Sequence, residues 1–207
     1  MRRFAVLIFV LVLLTTACRL GGGGASAPAA SPGALDSSLQ AFHAAFQAVS
    51  VGLTVAFTQG TSPGGNFTEY KHTLLCDTSG PENEGTSNTE VRISDQETDG
   101  TFFVSSNLKN CADVNGDFTA VGGFTRGSDQ TTFQWDYSGA INSGDCDVDL
   151  SGLNVSSAQR DALTTSLVSG TLTAECDAAS VECRWNQTPA QDEAALAAAC
   201  SCSGSNC

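Results

Sequence analysis

The chain is poor in residues that do chemistry. Its 207 residues include two histidines, His43 and His72, one methionine, and two lysines, Lys71 and Lys109. No H-E-x-x-H motif and no P-loop occurs, so neither the zinc-hydrolase helix nor the phosphate cradle is encoded. Two histidines permit a His-dependent triad, but no spacing supports one. No C-x-x-C pair is present, which disfavours thioredoxin-like redox chemistry. Nine basic residues stand against 22 acidic ones. Nucleic-acid binding needs a basic footprint, so no nucleic-acid partner is expected, and anionic lipid surfaces should repel the domain. The acids leave carboxylate-pair glycoside hydrolysis open, but no motif points to it. The expectation is a protein with no enzymatic activity and no cofactor.

What is present begins at the N-terminus. Arg2 and Arg3 precede the eleven-residue apolar run Phe4 to Leu14, and Thr15-Thr16-Ala17 leads to Cys18. A basic start, a short apolar stretch and small residues before a cut describe a secretory signal. The run is shorter than the ~20 residues that span a bilayer. With a cysteine directly after the cut, this N-terminus resembles the lipobox signal of bacterial lipoproteins, over the first eighteen residues. The resemblance implies a diacylglycerol thioether on Cys18 and an acylated amine. Two or more acyl chains hold firmly to a membrane, so the expected membrane partner is reached through covalent lipid. The resemblance also implies that Arg19, where an Asp would favour inner-membrane retention in enteric-type bacteria, favours the outer membrane of a Gram-negative cell. The expected localisation is therefore the bacterial cell envelope.

Three segments follow from this: a signal over 1–17, the lipidated cysteine with a tether over 18–33, and one domain over 34–207. The tether is rich in Gly, Ala, Ser and Pro and should reach roughly 20 Å as a flexible chain. Removing residues 1–17 takes away two arginines and no acid, leaving a formal charge of −15. A solubilising negative surface is the plain reading of that charge.

Eight cysteines lie beyond Cys18: Cys76, Cys111, Cys146, Cys176, Cys183, Cys200, Cys202 and Cys207. An even number in an exported chain reads as disulfides. On the order of 100 pairings are possible. Cys176 with Cys183 is the most local, and Cys76 with Cys111 is the next choice. The thiol-rich tail from Cys200 could ligate a metal only if reduced, so no metal site is expected.

The domain opens with helical periodicity. Leu35, Leu39, Phe42, Phe46 and Val49 make one apolar stripe, with Ser37 and Gln40 in capping-box spacing. His43 lies beside the stripe. From Val51 the period changes to two: Val51 to Phe57, Tyr70 to Cys76, Val91 to Ile93, Phe118 to Phe124, Phe133 to Ile141, Cys146 to Leu150, Val168 to Cys176 and Val181 to Trp185 alternate apolar with polar. Each reads as a strand with one buried face, and the short spacers between them favour antiparallel hairpins. Cys76, Cys146, Cys176 and Cys183 share the apolar parity, which suggests bridges tying core layers. Tyr137-Ser-Gly-Ala-Ile141 is echoed by Val168-Ser-Gly-Thr-Leu172, and each is followed by an acid-Cys-Asp triplet. A last helix is expected from Thr188, with Pro189 at its first position and Gln191 completing a capping box.

Three polar features invite a ligand reading. Asp113-Val-Asn115-Gly-Asp117 begins like a calcium loop, but the sixth and twelfth places hold Phe118 and Phe124 where Gly and Glu are required. A polar turn is expected instead. Asp145, Asp147 and Asp149 alternate along one strand and read as a solvated face. His72 shares the parity of Tyr70 and Leu74 and reads as a core histidine.

The expected fold is mainly β: an antiparallel twisted sheet or compact sandwich with an N-terminal and a C-terminal helix, stabilised by disulfides. Two functions fit it. One is a lipid-tethered structural or interaction domain with an unidentified protein partner. The other is a carrier of a hydrophobic ligand, held between sheet and helix by Phe42, Phe46, Phe57, Phe118, Phe124, Phe133 and Trp135.

Overall fold

In the computed structural model, residues 33–59, 67–77, 85–94, 99–160, 163–205 and 207 are described. Cys18, the signal and the tether up to residue 32 lie outside them. Residues Pro32–Cys207 make one compact unit. A long helix, α1 (Ala34–Gln59), is followed by β1 (Phe67–Asp77), β2 (Gly85–Ser94), β3 (Asp99–Cys111), β4 (Val114–Arg126), β5 (Thr131–Ser138), β6 (Ala140–Ser143), β7 (Cys146–Asp149), β8 (Leu153–Arg160), β9 (Leu163–Cys176) and β10 (Ala179–Pro189). A short helix, α2 (Glu193–Ala198), and β11 (Cys200–Gly204) complete the order.

All the strands join one antiparallel sheet, ordered β1-β2-β3-β4-β5-β8-β9-β10-β11, with β6 between β4 and β7, and β7 between β6 and β9. β5 and β6 are one long strand broken at Gly139, and β7 and β8 another broken at Leu150–Gly152, so the chain is an up-and-down meander. The mainly β, antiparallel expectation holds, as a single sheet rather than a sandwich. Register is set by two-residue turns, where Cys111 faces Val114, Ser143 faces Cys146 and Cys176 faces Ala179. In the first of these, Ala112 and Asp113 both take positive φ, 51° and 66°, the geometry whose twist matches paired strands.

The internal echo has a structural meaning. Its two glycines, Gly139 and Gly170, have φ of 119° and 110° and kink two strands that flank β7 and β8. Its two cysteines, Cys146 and Cys176, face each other in register and form a disulfide.

The inner face of the sheet carries Val91, Ile93, Phe102, Val104, Leu108, Phe118, Phe133, Trp135, Val148, Val155, Val168, Leu172 and Trp185, all buried. α1 lies against this face and touches β1, β2, β3, β4, β6, β7, β9, β10, β11 and α2. One helix can touch both margins of so wide a sheet only if the sheet curves round it. Among its described side chains, only Asp36 and Gln47 are exposed, and a helix apolar nearly all round is a buried one. α1 is long and apolar enough to cross a membrane, yet 56% of that apolar stretch is buried inside the domain.

Several expectations of local structure are corrected. Val51 to Phe57 is not a strand but the second half of α1. Of the alternating residues only Leu53 is buried; the buried set, Ala48, Val49, Gly52, Leu53 and Ala56, has helical spacing. No breaker stands between the two halves, and the Thr54 hydroxyl is satisfied within the helix by the Ser50 carbonyl at 2.8 Å. α1 also starts before the expected capping box: the Ser37 N–H already bonds the Gly33 carbonyl at 3.0 Å.

The last helix does not start at Thr188. Thr188 and Pro189 are paired with Val168 and Leu167 in the β9–β10 ladder, and Asp192 is the cap, its carboxylate accepting from the Ala195 N–H at 3.0 Å. Finally, Cys176 does not pair with Cys183. The bridges are Cys76–Cys111, Cys146–Cys176, Cys183–Cys200 and Cys202–Cys207, the first of them as expected. Cys176 and Cys183 sit on one hairpin but seven residues apart, with Cys183 facing Leu172. The first three join strands of one sheet rather than core layers, and the fourth ties β11 to the residues that follow it. A bulge between Leu75 and Asp77 turns Cys76 to the exposed side.

Candidate functional site

The seven aromatic residues expected to line a ligand space do come together between α1 and the sheet. Phe42 lies against Trp185 with ring centres 4.9 Å apart. Phe46 stacks over Trp135 at 6.3 Å. Phe57 meets Phe124 and Phe133 edge to face at 4.8 and 5.1 Å. Phe118 lies beside Tyr137 at 5.9 Å. Such tilted and edge-on pairs add about 0.5–1.5 kcal/mol each to the burial of the rings. Phe102, which touches both Phe133 and Trp135, belongs to the cluster and was not read from the sequence. Phe102 and Phe103 are adjacent, so the alternation that marks a strand is blurred there.

The trough has two unlike ends. The Oγ of Ser37, in the first turns of α1, lies 3.6 Å from where a Cβ on Gly144 would be. The start of α1 is thus at the sheet end that carries the tight turns and the Cys146–Cys176 bridge. Phe57, near the other end of α1, lies by Phe124 and Phe133, and the Arg126 guanidinium sits 5.1 Å over the Phe57 ring and 5.2 Å from that of Phe124. In between, Gly52 lets α1 approach β2 closely: a Cβ there would lie 3.0 Å from a Thr89 methyl and 3.1 Å from a Val91 methyl.

Polar groups inside the trough fall into two kinds. The hydroxyls of Ser87, Thr89 and Ser106 form a closed triangle of 3.2, 3.2 and 2.9 Å, and Ser157 bonds Ser166 at 2.9 Å. These groups satisfy one another. The indole N–H of Trp135, the hydroxyl of Tyr137 and that of Ser143 have no hydrogen-bond partner, although Trp135 and Tyr137 are each 2% exposed and Ser143 is 0% exposed. A buried polar group left unpaired costs about 1–3 kcal/mol. Burial pushes the Tyr137 hydroxyl pKa well above its ordinary value, and the Trp135 indole beside it offsets this only in part. Even if the indole N–H donates to the Tyr137 oxygen, the Tyr137 O–H stays without an acceptor.

Neither histidine assembles a catalytic pair. His72 stands opposite Thr89 on the inner face, and its Nε2 makes no hydrogen bond. His43 bonds the Ala190 carbonyl beneath α2, and burial holds its pKa below the ordinary value against the opposing influence of Glu193 and of that bond. Burial also lowers His72. Between a depressed folded pKa and the ordinary value of about 6.5, the unfolded chain binds more protons than the folded one, so folding is weakened as pH falls through that window and fully supported above it. The urea midpoint should therefore fall from about pH 7.5 to about pH 5, and His43→Gln, which keeps a donor toward Ala190, should flatten that fall. An unchanged slope in the variant would remove His43 from this role.

The outer face is polar. An open groove of about 1060 Å³ crosses it near Thr101, Gly123, Gln134, Asp136 and Ser156. Two carboxylates line it, Asp99 and Asp136, and Asp136 accepts from the Asn154 amide at 2.9 Å. The acidic triplet is divided: Asp147 accepts from Asn142, Asp149 accepts from the Ser151 N–H at 2.9 Å, and Asp145 lies exposed in the turn before β7. The candidate calcium loop is a hairpin turn. Asn115 accepts from the Asn110 N–H at 2.8 Å, and Asp117 from the Asn107 amide at 2.7 Å. Among the described residues, no group of three or more His, Cys, Asp or Glu could hold a metal ion. One serine pattern escaped the sequence reading: Gly60-Thr61-Ser62-Pro63-Gly64 has the G-x-S-x-G spacing. It lies outside the described residues, between α1 and β1, whereas a nucleophile elbow connects a strand to a following helix.

No family model, no curated protein and no solved structure matches this chain.

Proposed function

We propose that this is a lipid-anchored bacterial envelope protein whose domain is a non-catalytic structural or interaction module, tethered through acylated Cys18. The observation that supports the anchor is the run Arg2-Arg3, Phe4 to Leu14, Thr15-Thr16-Ala17-Cys18. The outer membrane is the favoured destination in a Gram-negative host. For the domain, the supporting observation is how its inward side chains are used: they pack against α1 or bond one another. Four disulfides lock the sheet, as suits an oxidising compartment. Radiolabelled palmitate should enter the wild-type protein and not Cys18→Ala, and the variant should leave the membrane fraction or remain uncleaved. Equal label and equal membrane association in both would refute the anchor.

A second reading, a carrier of a hydrophobic ligand, is favoured by one specific observation. The Trp135 indole and Tyr137 hydroxyl are buried among aromatic rings without partners.

A further inference from the structure

The sheet is locked and the helix is not. Every disulfide lies within the sheet and its C-terminal extension. α1 carries no cysteine, and Asp36 is its one charged residue. It is held by apolar packing, by the Arg126 guanidinium over Phe57 and by the bond from His43 to Ala190, among other contacts. Its second half faces the sheet end away from the Cys146–Cys176 bridge and touches β2 through Gly52, the smallest of side chains. No disulfide ties that half of α1 to the sheet, whereas disulfides cross-link the sheet itself.

Beneath it, the Tyr137 O–H has no acceptor and the Trp135 N–H has none beyond the Tyr137 oxygen beside it, both set among Phe46, Phe102 and Phe118. No lysine or arginine is among the buried residues of this interior, and the whole chain is strongly acidic. A carboxylate would be buried there without a counter-charge, whereas an ester or ketone oxygen would take both donors without one. We propose that this interior binds a neutral, largely apolar molecule of the ester or ketone class. Its acceptor oxygen sits on Tyr137 and Trp135, and α1 acts as the lid. This rests on the carrier reading and gives it a ligand chemistry and a gate.

The test uses the full chain with Cys18→Ser, to keep detergent out, and monoolein as the ester probe. Oleate and Tyr137→Phe serve as comparators, with tryptophan fluorescence and native mass spectrometry as readouts. Monoolein should bind saturably as one molecule per chain, and oleate at least about tenfold more weakly. Tyr137→Phe should weaken monoolein about tenfold, the discrimination expected when a hydrogen bond to a charge-free acceptor is lost in a dry site. The same variant should leave the unliganded protein as stable as wild type or more so, because it deletes an unpaired group.

A second variant, Gly52→Cys with Val91→Cys, pins the lid. The Val91 methyl is 3.1 Å from a Cβ at position 52, which suits a cross-link between them. The pinned protein should bind at a rate at least about 100-fold lower than wild type, as expected when the competent state is rarely populated. Equal binding of oleate and monoolein, or of wild type and Tyr137→Phe, would overturn the acceptor site and leave the carrier reading standing. Unimpaired binding by the pinned protein would overturn the lid. Absence of saturable binding to either probe would overturn both readings together. A destabilised Tyr137→Phe with unchanged affinity would mean that the hydroxyl is served by buried water, which also overturns the site.

Discussion

Replacing Cys146 and Cys176 together with alanine should destabilise the domain by about 3.5 kcal/mol, the loop-closure value for a bridge of this span. The bridge spans 30 residues, whereas Cys202–Cys207 spans 5, so removing the latter should cost only about 2 kcal/mol. The contrast between the two checks the mechanism, because a purely local packing loss would not scale with loop length. Complete reduction removes four such constraints, on the order of 10 kcal/mol, against a typical net stability of about 5–15 kcal/mol. The reduced chain should therefore be largely unfolded near 37 °C by near-ultraviolet circular dichroism. If the Cys146–Cys176 double variant melted within about 2 °C of the parent, which corresponds to under 1 kcal/mol at this size, the sheet would be held by packing alone. The carrier lid would then have no rigid frame to move against.

Gly170→Val should cost about 4 kcal/mol, combining backbone strain with overpacking. Gly170 has φ +110°, and a Cβ there would sit 2.0 Å from the Gly152 carbonyl oxygen. That oxygen belongs to the backbone and is already bonded to the Thr171 N–H at 3.2 Å, so it cannot retreat without breaking the ladder. The glycine marks the place where β9 passes from pairing with β7 to pairing with β8. Thr173→Val, on the exposed side of the same strand, should stay within about 0.5 kcal/mol of wild type. Urea titration of the two variants decides it, and a Gly170→Val protein as stable as Thr173→Val would show that the kink is not required.

Much of this architecture was legible in the chain. Alternation over Tyr70–Cys76, Phe118–Phe124, Phe133–Ile141 and Val168–Cys176 placed strands with the correct inward parity, Cys76 at its bulge excepted, because one face of each is buried and the side-chain period of a strand is two. β3 and β8 were not read. Their inward positions include Ser106 and Ser157, whose hydroxyls are satisfied only by Thr89 and Ser87, or by Ser166, across the sheet. A serine that becomes buried through a distant partner carries no apolar signal of its own. Val51–Phe57 failed for the opposite reason: a fully surrounded helix is apolar on every side, so both periods fit the same residues.

The sequence by itself determined the antiparallel character of the sheet, the presence of a helix before it and after it, the presence of disulfides and the acidic balance of charge. These follow from composition and from patterns a few residues long. Only the tertiary structure decided that one sheet curls round one helix, and that Cys146 meets Cys176 rather than Cys176 meeting Cys183. It alone placed Trp135 and Tyr137 under a helix that no disulfide reaches. Those outcomes depend on which distant strands share a register and on how far the sheet coils. Both are set by summed twist and by contacts between residues tens of positions apart, which no local period records.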